Sequence, residues 1–150
     1  MNIITVDFET HYSKDFGFSK FTTEEYVRHP DFEVIGVGIK ANDGEPEWFS
    51  GSHDEVQEYF KKFNWGDAFV LAHNTAFDGA ILSWHFGIRP KGWLDTLSMA
   101  RAIHGVSVGG SLAKLAKHYN IGEKGDPHDC PPHGRKQSTP FACPRFPPHC

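Results

Sequence analysis

Asp7 and Glu9 are two carboxylates one residue apart, at the end of an apolar, β-branched stretch near the N-terminus. If residues 3–10 form a strand, both acids point to the same face, because strand side chains alternate with a period of two. At roughly 3.3 Å per residue they would lie about 6–7 Å apart. Such a pair could share two divalent cations about 3.5–4 Å apart, as in two-metal phosphoryl-transfer sites. The pair therefore predicts metal-dependent phosphoryl chemistry.

A second acidic segment, residues 74–78, reads Asn-Thr-Ala-Phe-Asp. It places Asp78 in the first turn of a predicted helix that follows a short buried strand. An acid there also complements the helix dipole, and Asn74 suits an N-cap, so this segment alone favours a structural role. Asp7 and Glu9 alone could likewise be a solvated strand end. Together, the two segments favour a functional site.

The predicted elements form a mixed α/β fold. Residues 1–8, 32–41, 47–49 and 68–72 are predicted strands, as is a brief stretch over 93–96, and the first three are joined closely enough to favour antiparallel neighbours. Ser52 and Glu55 match a capping box at the start of a helix. Later helices are predicted from residue 75 to about residue 86, from about residue 96 through residue 103, and over residues 111–119. The helix that begins at residue 75 is expected to bury an apolar stripe of Phe77, Ala80, Ile81 and Trp84, and the last to turn Leu112, Leu115, Ala116 and Tyr119 inward.

The length and composition of the chain are typical of a single globular domain. The 150-residue chain is 39% hydrophobic with 14% aromatic residues, and its formal net charge is −4. This charge gives no overall attraction for nucleic acid, so any polyanion must be held by bound metal and local basic residues. No apolar run approaches the roughly 18 residues of a membrane span. We therefore expect a soluble, cytoplasmic protein without a membrane partner.

The last 25 residues differ sharply in composition. From residue 126 onward there is no Ile, Leu, Val, Met, Trp or Tyr, yet all three Cys and seven of the ten Pro occur there. Such a segment cannot build a core, so we predict a domain over 1–124 and a disordered Pro/His/Cys-rich tail over 125–150. A shifted reading frame, or a replaced end, beginning close to Gly125 would explain the change. Sequencing the encoding locus tests this hypothesis, and an intact frame across the junction would exclude it.

The two acidic segments together resemble the first two motifs of the DEDD (DnaQ-like) 3′-to-5′ exonucleases. Further stretches at residues 22–26, 32–38, 95–97 and 111–116 are similar to the proofreading domain of phage DNA polymerases, so the resemblance covers roughly residues 1–124. It implies a ribonuclease-H-like fold, here C-terminally incomplete, and hydrolysis of phosphodiesters at a DNA 3′ end. It also implies a single-stranded DNA partner and a polymerase domain that is absent from this chain.

The resemblance assigns a role to each matching residue. Asp7, Glu9 and Asp78 would be the catalytic residues and the ligands of two Mg²⁺ or Mn²⁺ ions, which is consistent with the preference of hard cations for oxygen ligands. Four neighbours of these acids would receive the terminal nucleotide: Phe8, Thr10, Asn74 and Phe77. Phe77 also belongs to the predicted apolar stripe, which favours a core position for it.

A third motif should supply a fourth carboxylate, as Tyr-x-x-x-Asp or His-x-x-x-x-Asp. The nearest matches pair Tyr119 or His118 with Glu123, and both replace Asp by Glu. Asp126 and Asp129 have no matching partner. We therefore predict that the third motif is missing and that catalysis, which depends on metal activation and positioned water, is severely impaired.

Four alternatives stay open at this point. Asp95 could join the acidic site, although N-capping is favoured, and His73 could face it, although a structural hydrogen bond is favoured. The chain could be a non-catalytic remnant that binds nucleic acid or metal. The tail could instead form a zinc-binding module from Cys130, His133, Cys143, His149 and Cys150, although their spacing matches no paired-ligand framework.

Overall fold

A computed structural model gives the structure of the chain and describes residues 1–122. The chain divides into two compact units, Met1–Thr96 and Leu97–Cys150. Here they are called the sheet unit and the helical unit, and of the helical unit residues 97–122 are described. The predicted domain boundary near residue 125, the tail and its zinc alternative lie outside the described residues and stay predictions.

The sheet unit is built on five strands in the order β3-β2-β1-β4-β5. The strands are β1 (Asn2–Thr10), β2 (Val34–Ala41), β3 (Glu47–Phe49), β4 (Ala68–Ala72) and β5 (Gly92–Asp95). The first three pair antiparallel, as predicted, while β4 and β5 add in parallel beside β1. The chain reaches β4 after a helix over His53–Phe60 and reaches β5 after a helix over Thr75–His85. Parallel strands need such crossover connections, which usually contain a helix. The mixed sheet with flanking helices confirms the predicted α/β class.

Three helices belong to the sheet unit: α1 (Thr23–Val27), α2 (His53–Phe60) and α3 (Thr75–His85). Both α1 and α2 begin with a capping box, in which the hydroxyl of Thr22 or Ser52 accepts the backbone N–H of a Glu three residues later. The box at Ser52 and Glu55 confirms the sequence prediction. Each box satisfies two backbone donors that a helix start leaves without partners.

The core of the sheet unit is aromatic and lies against one face of β1. Burial alternates along the strand: Val6, Phe8 and Thr10 are buried, while Asp7 and Glu9 are exposed. The Phe8 ring packs 6.1 Å from the rings of both Phe60 and Phe86, measured between centroids. The period-two pattern of the sequence therefore fixes which face of β1 carries the acids.

The predicted stripe of α3 is wrong in part. The buried residues of this helix are Thr75, Asp78, Gly79, Ala80, Ile81 and Leu82. Phe77 is half-buried, and Trp84 is 44% exposed, with the Arg28 guanidinium 4.2 Å from its ring centroid. Strands pack on the polar first turn of this helix, so Asp78 faces inward. The buried face of α3 is therefore rotated relative to the face that hydrophobicity alone predicts.

The helical unit contains α4 (Thr96–His104), whose first residue belongs to the sheet unit, and α5 (Leu112–Tyr119). Ser111 caps α5 by accepting the backbone N–H of Lys114. Of the residues predicted to face inward on α5, Leu115 is buried, whereas Leu112 and Tyr119 are about half exposed. The inward prediction for Leu112 and Tyr119 is therefore wrong, because the described part of this unit offers too little apolar surface to cover them. No helix among residues 1–122 is long and apolar enough to cross a membrane.

Candidate active site

The two acidic segments meet at one hydrogen bond. The backbone N–H of Phe8, which lies between Asp7 and Glu9, donates to Oδ1 of Asp78 at 3.0 Å. These residues are 70 positions apart in the chain. The bond fixes the first turn of α3 against β1, so that all three acids assigned by the sequence belong to one region of the sheet unit.

Asp78 is the buried member of the group, at 3% exposure. Burial is the largest cause that raises the pKa of its carboxyl group from 3.8 to about 7; the negative charges of Asp7 and Glu9 act in the same direction, while the hydrogen bond from the Phe8 N–H opposes the shift. A buried acid flanked by two other acids is costly unless a proton or a cation neutralises it. Such perturbed groups are found preferentially at functional sites.

Glycines lie opposite the two exposed acids on the neighbouring strand. In the antiparallel pairing of β1 and β2, Asp7 is opposite Gly38 and Glu9 is opposite Gly36. A side chain at Gly36 would collide with the ring of Trp48 and with the backbone oxygen of Phe49, at 2.4 and 2.8 Å. The two glycines have the same spacing in the sequence as the two acids. Only the register of β1 and β2 shows that each glycine lies opposite an acid.

The residues predicted to receive a nucleotide occupy different environments. Phe8 is 4% exposed and packs in the core, on the face of β1 opposite to the acids, so its backbone rather than its ring adjoins them. The buried Thr10 shares a 2.9 Å hydrogen bond with the hydroxyl of Tyr26. Phe77 is half-buried, with its ring centroid 5.3 Å from that of Phe18. Their role in substrate binding stays a prediction.

Asn74 and Asp95 together set the start of α3. Asn74 is exposed and adopts a left-handed backbone conformation, with φ 71°, which Asn tolerates better than most residues. It occupies the N-cap position, as predicted, but its side chain makes no capping bond. Instead, its backbone N–H donates to Oδ1 of Asp95 at 3.0 Å. Asp95 ends β5, so its carboxylate braces the helix that carries Asp78.

Two further residues support the ends of these strands. Nδ1 of His73 lies 2.9 Å from the hydroxyl of Thr96, which agrees with the structural role favoured for it. Tyr26 belongs to the resembling stretch 22–26 but received no individual role from the sequence; its hydroxyl donates to the backbone oxygen of His11 at 2.5 Å while contacting Thr10. The fully buried Tyr26 thereby holds the chain where it leaves β1, directly after Glu9.

The candidate carriers of the third motif lie in the helical unit and are engaged with another residue. The Tyr119 hydroxyl lies 2.6 Å from Nε2 of His104, and the His118 ring packs edge-on against the His104 ring. Glu123, their proposed acidic partner, lies outside the described residues. Residues 97–122 contain no Asp or Glu at all. The prediction that the third motif is missing is therefore untested beyond residue 122.

The site fits a divalent cation in the type of its ligands but not as a ready-made cage. Carboxylate oxygens are the ligands that Mg²⁺ and Mn²⁺ prefer, and three acids gather around one hydrogen bond. Within residues 1–122, however, no three His, Cys, Asp or Glu side chains converge closely enough to hold a single ion. Ligands shared between two ions need not converge in this way.

Known structures show the same fold. NrnC of Brucella melitensis bound to pGG matches with a TM-score of 0.54 and 15% identity, over 91% of this chain and 56% of that one. A second structure of NrnC from the same organism matches with a TM-score of 0.53 and 16% identity, over 92% of this chain and 57% of the other. The family B DNA polymerase of the archaeon Pyrobaculum calidifontis matches with a TM-score of 0.50 and 15% identity, over 81% of this chain and 18% of the polymerase.

At this level of identity the likeness shows the fold, and it confirms the ribonuclease-H-like architecture that the resemblance implied. The chain spans little more than half the length of the NrnC structures. No protein-family model and no curated protein sequence matches the chain.

Proposed function

We propose that the sheet unit is a DEDD-type exonuclease domain that acts on the 3′ end of a DNA strand, of the kind attached to phage-type DNA polymerases. The observation that carries this proposal is the bond from the Phe8 N–H to Asp78, because it brings the two acidic motifs of the sequence together. The structural neighbours support it, since one is bound to pGG and another is a DNA polymerase.

Asp7, Glu9 and Asp78 would hold two Mg²⁺ or Mn²⁺ ions. When bound, such cations lower the pKa of an attacking water and stabilise charge on the leaving 3′ oxygen. The chain's own residues prepare the site. Phe8 and Asp95 orient the helix that carries Asp78, and the buried Asp78 carboxyl, with its pKa raised to about 7, retains its proton to higher pH than an ordinary acid does.

The test is Mn²⁺-dependent digestion of a single DNA strand labelled at its 5′ end. The wild-type protein is expected to shorten the strand stepwise from the 3′ end, slowly because the third motif is predicted to be missing, and Asp7→Asn to abolish this shortening. Asp43→Asn is the matched control, because Asp43 is an exposed acid in the turn between β2 and β3. If Asp7→Asn keeps the activity of the wild type, the assignment of Asp7 fails, and equal losses in both variants would point to a general effect of charge.

A second candidate function is cation-dependent nucleic-acid binding without turnover. It is favoured by the absence of acids from residues 97–122, and by the contact of His118 and Tyr119 with His104. In this case the wild-type protein would bind the strand in Mn²⁺ and lose binding in Asp7→Asn, with no shortened product from either. Stepwise products from the wild type alone would exclude this second candidate.

A further inference from the structure

Phe18 is an exposed aromatic residue in the loop between β1 and α1. Its side chain is 58% exposed, although a Phe ring gains free energy by leaving water. The ring is held in place: its centroid lies 4.8 Å from that of Tyr26 and 5.3 Å from that of Phe77. One side of Phe18 is therefore fixed by packing, while a large part of its surface faces solvent.

The two rings that support Phe18 are each tied to the acidic motifs. Phe77 directly precedes Asp78 on α3. Tyr26 contacts the side chain of Thr10 at 2.9 Å, and Thr10 directly follows Glu9 on β1. Phe18 thus lies beside the neighbours of two proposed metal ligands, at the point where β1 ends and α3 begins.

The net charge of the sheet unit gives no overall attraction for a nucleic-acid strand. Residues 1–96 contain sixteen Asp and Glu but eight Lys and Arg. In the same loop as Phe18, the Lys20 ammonium is paired with Asp15 at 2.8 Å. Phosphate contacts supply most of the affinity of proteins that bind nucleic acid through charge, so another source of affinity is needed here. Stacking of bases on aromatic rings is such a source, and it tolerates any sequence.

From these contacts we infer that Phe18 is a stacking platform for a base of the strand whose 3′ end lies at the acids. The inference rests on the proposed function and adds to it the surface that holds the strand upstream of the scissile phosphate. Phe18 would act on binding and on positioning of the substrate. It would not take part in the chemical step.

The experiment measures affinity for a 5′-labelled oligothymidine with a 3′-terminal phosphorothioate linkage, in Mn²⁺, by fluorescence anisotropy. Phe18→Ala is expected to weaken binding about five- to a hundredfold, and Phe18→Trp to restore it, because base stacking needs an aromatic face. Trp84→Ala is the matched control, since it also removes an exposed aromatic side chain from the sheet unit, and it should leave affinity unchanged. The melting temperature of each variant checks that it folds.

Single abasic sites at the first to fourth nucleotides from the 3′ end identify the stacked base. One abasic position should weaken wild-type binding as strongly as Phe18→Ala does, and should have no further effect in that variant. The loss caused by Phe18→Ala should also be equal at low and high salt, because stacking releases no counterions. Equal affinities of Phe18→Ala and Trp84→Ala would overturn the stacking inference alone. A wild-type protein that binds no strand in Mn²⁺ would overturn the proposed function with it.

Discussion

The sheet unit and the described part of the helical unit differ in both charge and burial. Acids outnumber basic residues two to one in residues 1–96, whereas residues 97–122 carry three basic residues and no acid. Among residues 1–122, the connected core of buried residues lies in the sheet unit. In residues 97–122 only Ala100 and Leu115 are buried apolar residues.

This difference separates two physical tasks. Repulsion among clustered acids lowers the stability of the folded state. The sheet unit carries such a cluster, and the burial of its aromatic core can offset this repulsion. The helical residues have little core of their own but lack the charge repulsion. Chemistry that needs clustered acids is therefore expected in the sheet unit, and substitutions should have effects of different kinds in the two units.

The largest expected effect concerns activity. Glu9→Gln should reduce strand shortening in Mn²⁺ at least about 100-fold, because a carboxylate that holds a cation contributes several kcal/mol to the transition state. Lys117→Gln, an exposed substitution in the helical unit, should reduce it less than about threefold. Rates under single-turnover conditions measure both. A larger loss of activity from Lys117→Gln than from Glu9→Gln would contradict the assignment of the chemistry to the sheet unit.

The second effect concerns the core. Phe8→Ala should lower the free energy of unfolding by about 3–5 kcal/mol, because it leaves a cavity between Phe60 and Phe86. Ile103→Ala in the helical unit should change it by less than about 0.5 kcal/mol, since Ile103 is 69% exposed. Urea denaturation measures both values. Similar losses would mean that Ile103 contributes to a core like that of the sheet unit.

The third effect is a pH dependence of stability. The pKa of Asp78 is about 7 in the folded, metal-free protein, whereas an ordinary Asp, as in the unfolded chain, has a pKa near 3.8. The folded state therefore binds the proton more tightly than the unfolded state. Stability contributed by this group is fully present below about pH 4 and is lost as pH rises to about 7, by up to about 4 kcal/mol.

Asp78→Asn should remove this pH dependence and raise stability at pH 8 in a chelator, because its amide oxygen can still accept from Phe8. Melting curves from pH 4 to pH 8 measure the change. Mn²⁺ at pH 8 should then stabilise the wild type but not this variant. A wild type whose stability rises between pH 4 and pH 7 would contradict the assignment.

The smallest effect compares two helix caps. Ser52→Ala should cost about 1–2 kcal/mol, because it breaks a capping box in which Glu55 also bonds the backbone of residue 52. Ser111→Ala should cost about 0.5–1 kcal/mol, since residue 114 is Lys and no reciprocal bond forms. Chemical denaturation of both variants gives the difference. A larger loss at Ser111 would mean that α5 depends on its cap more than α2 does.

Local rules in the sequence were sufficient for the face of β1 and for the cap at Ser52. Period-two alternation placed Asp7 and Glu9 on one face of β1, and the capping box at Ser52 appeared where the spacing predicted it, because both features depend only on nearby residues. The inward face of α3 was mispredicted. Trp84 is exposed and Asp78 buried because the packing of strands on this helix outweighs the hydrophobicity of single residues.

By itself the sequence determined the α/β class, the common face of Asp7 and Glu9, and the similarity of its acidic segments to a nuclease family. Tertiary structure alone decided that Asp78 is buried, that its carboxylate accepts a hydrogen bond from Phe8, and that Phe18 is held between Tyr26 and Phe77. These contacts join residues far apart in the chain. Their free energies depend on which strands and helices pack together, and no local pattern of residues encodes that choice.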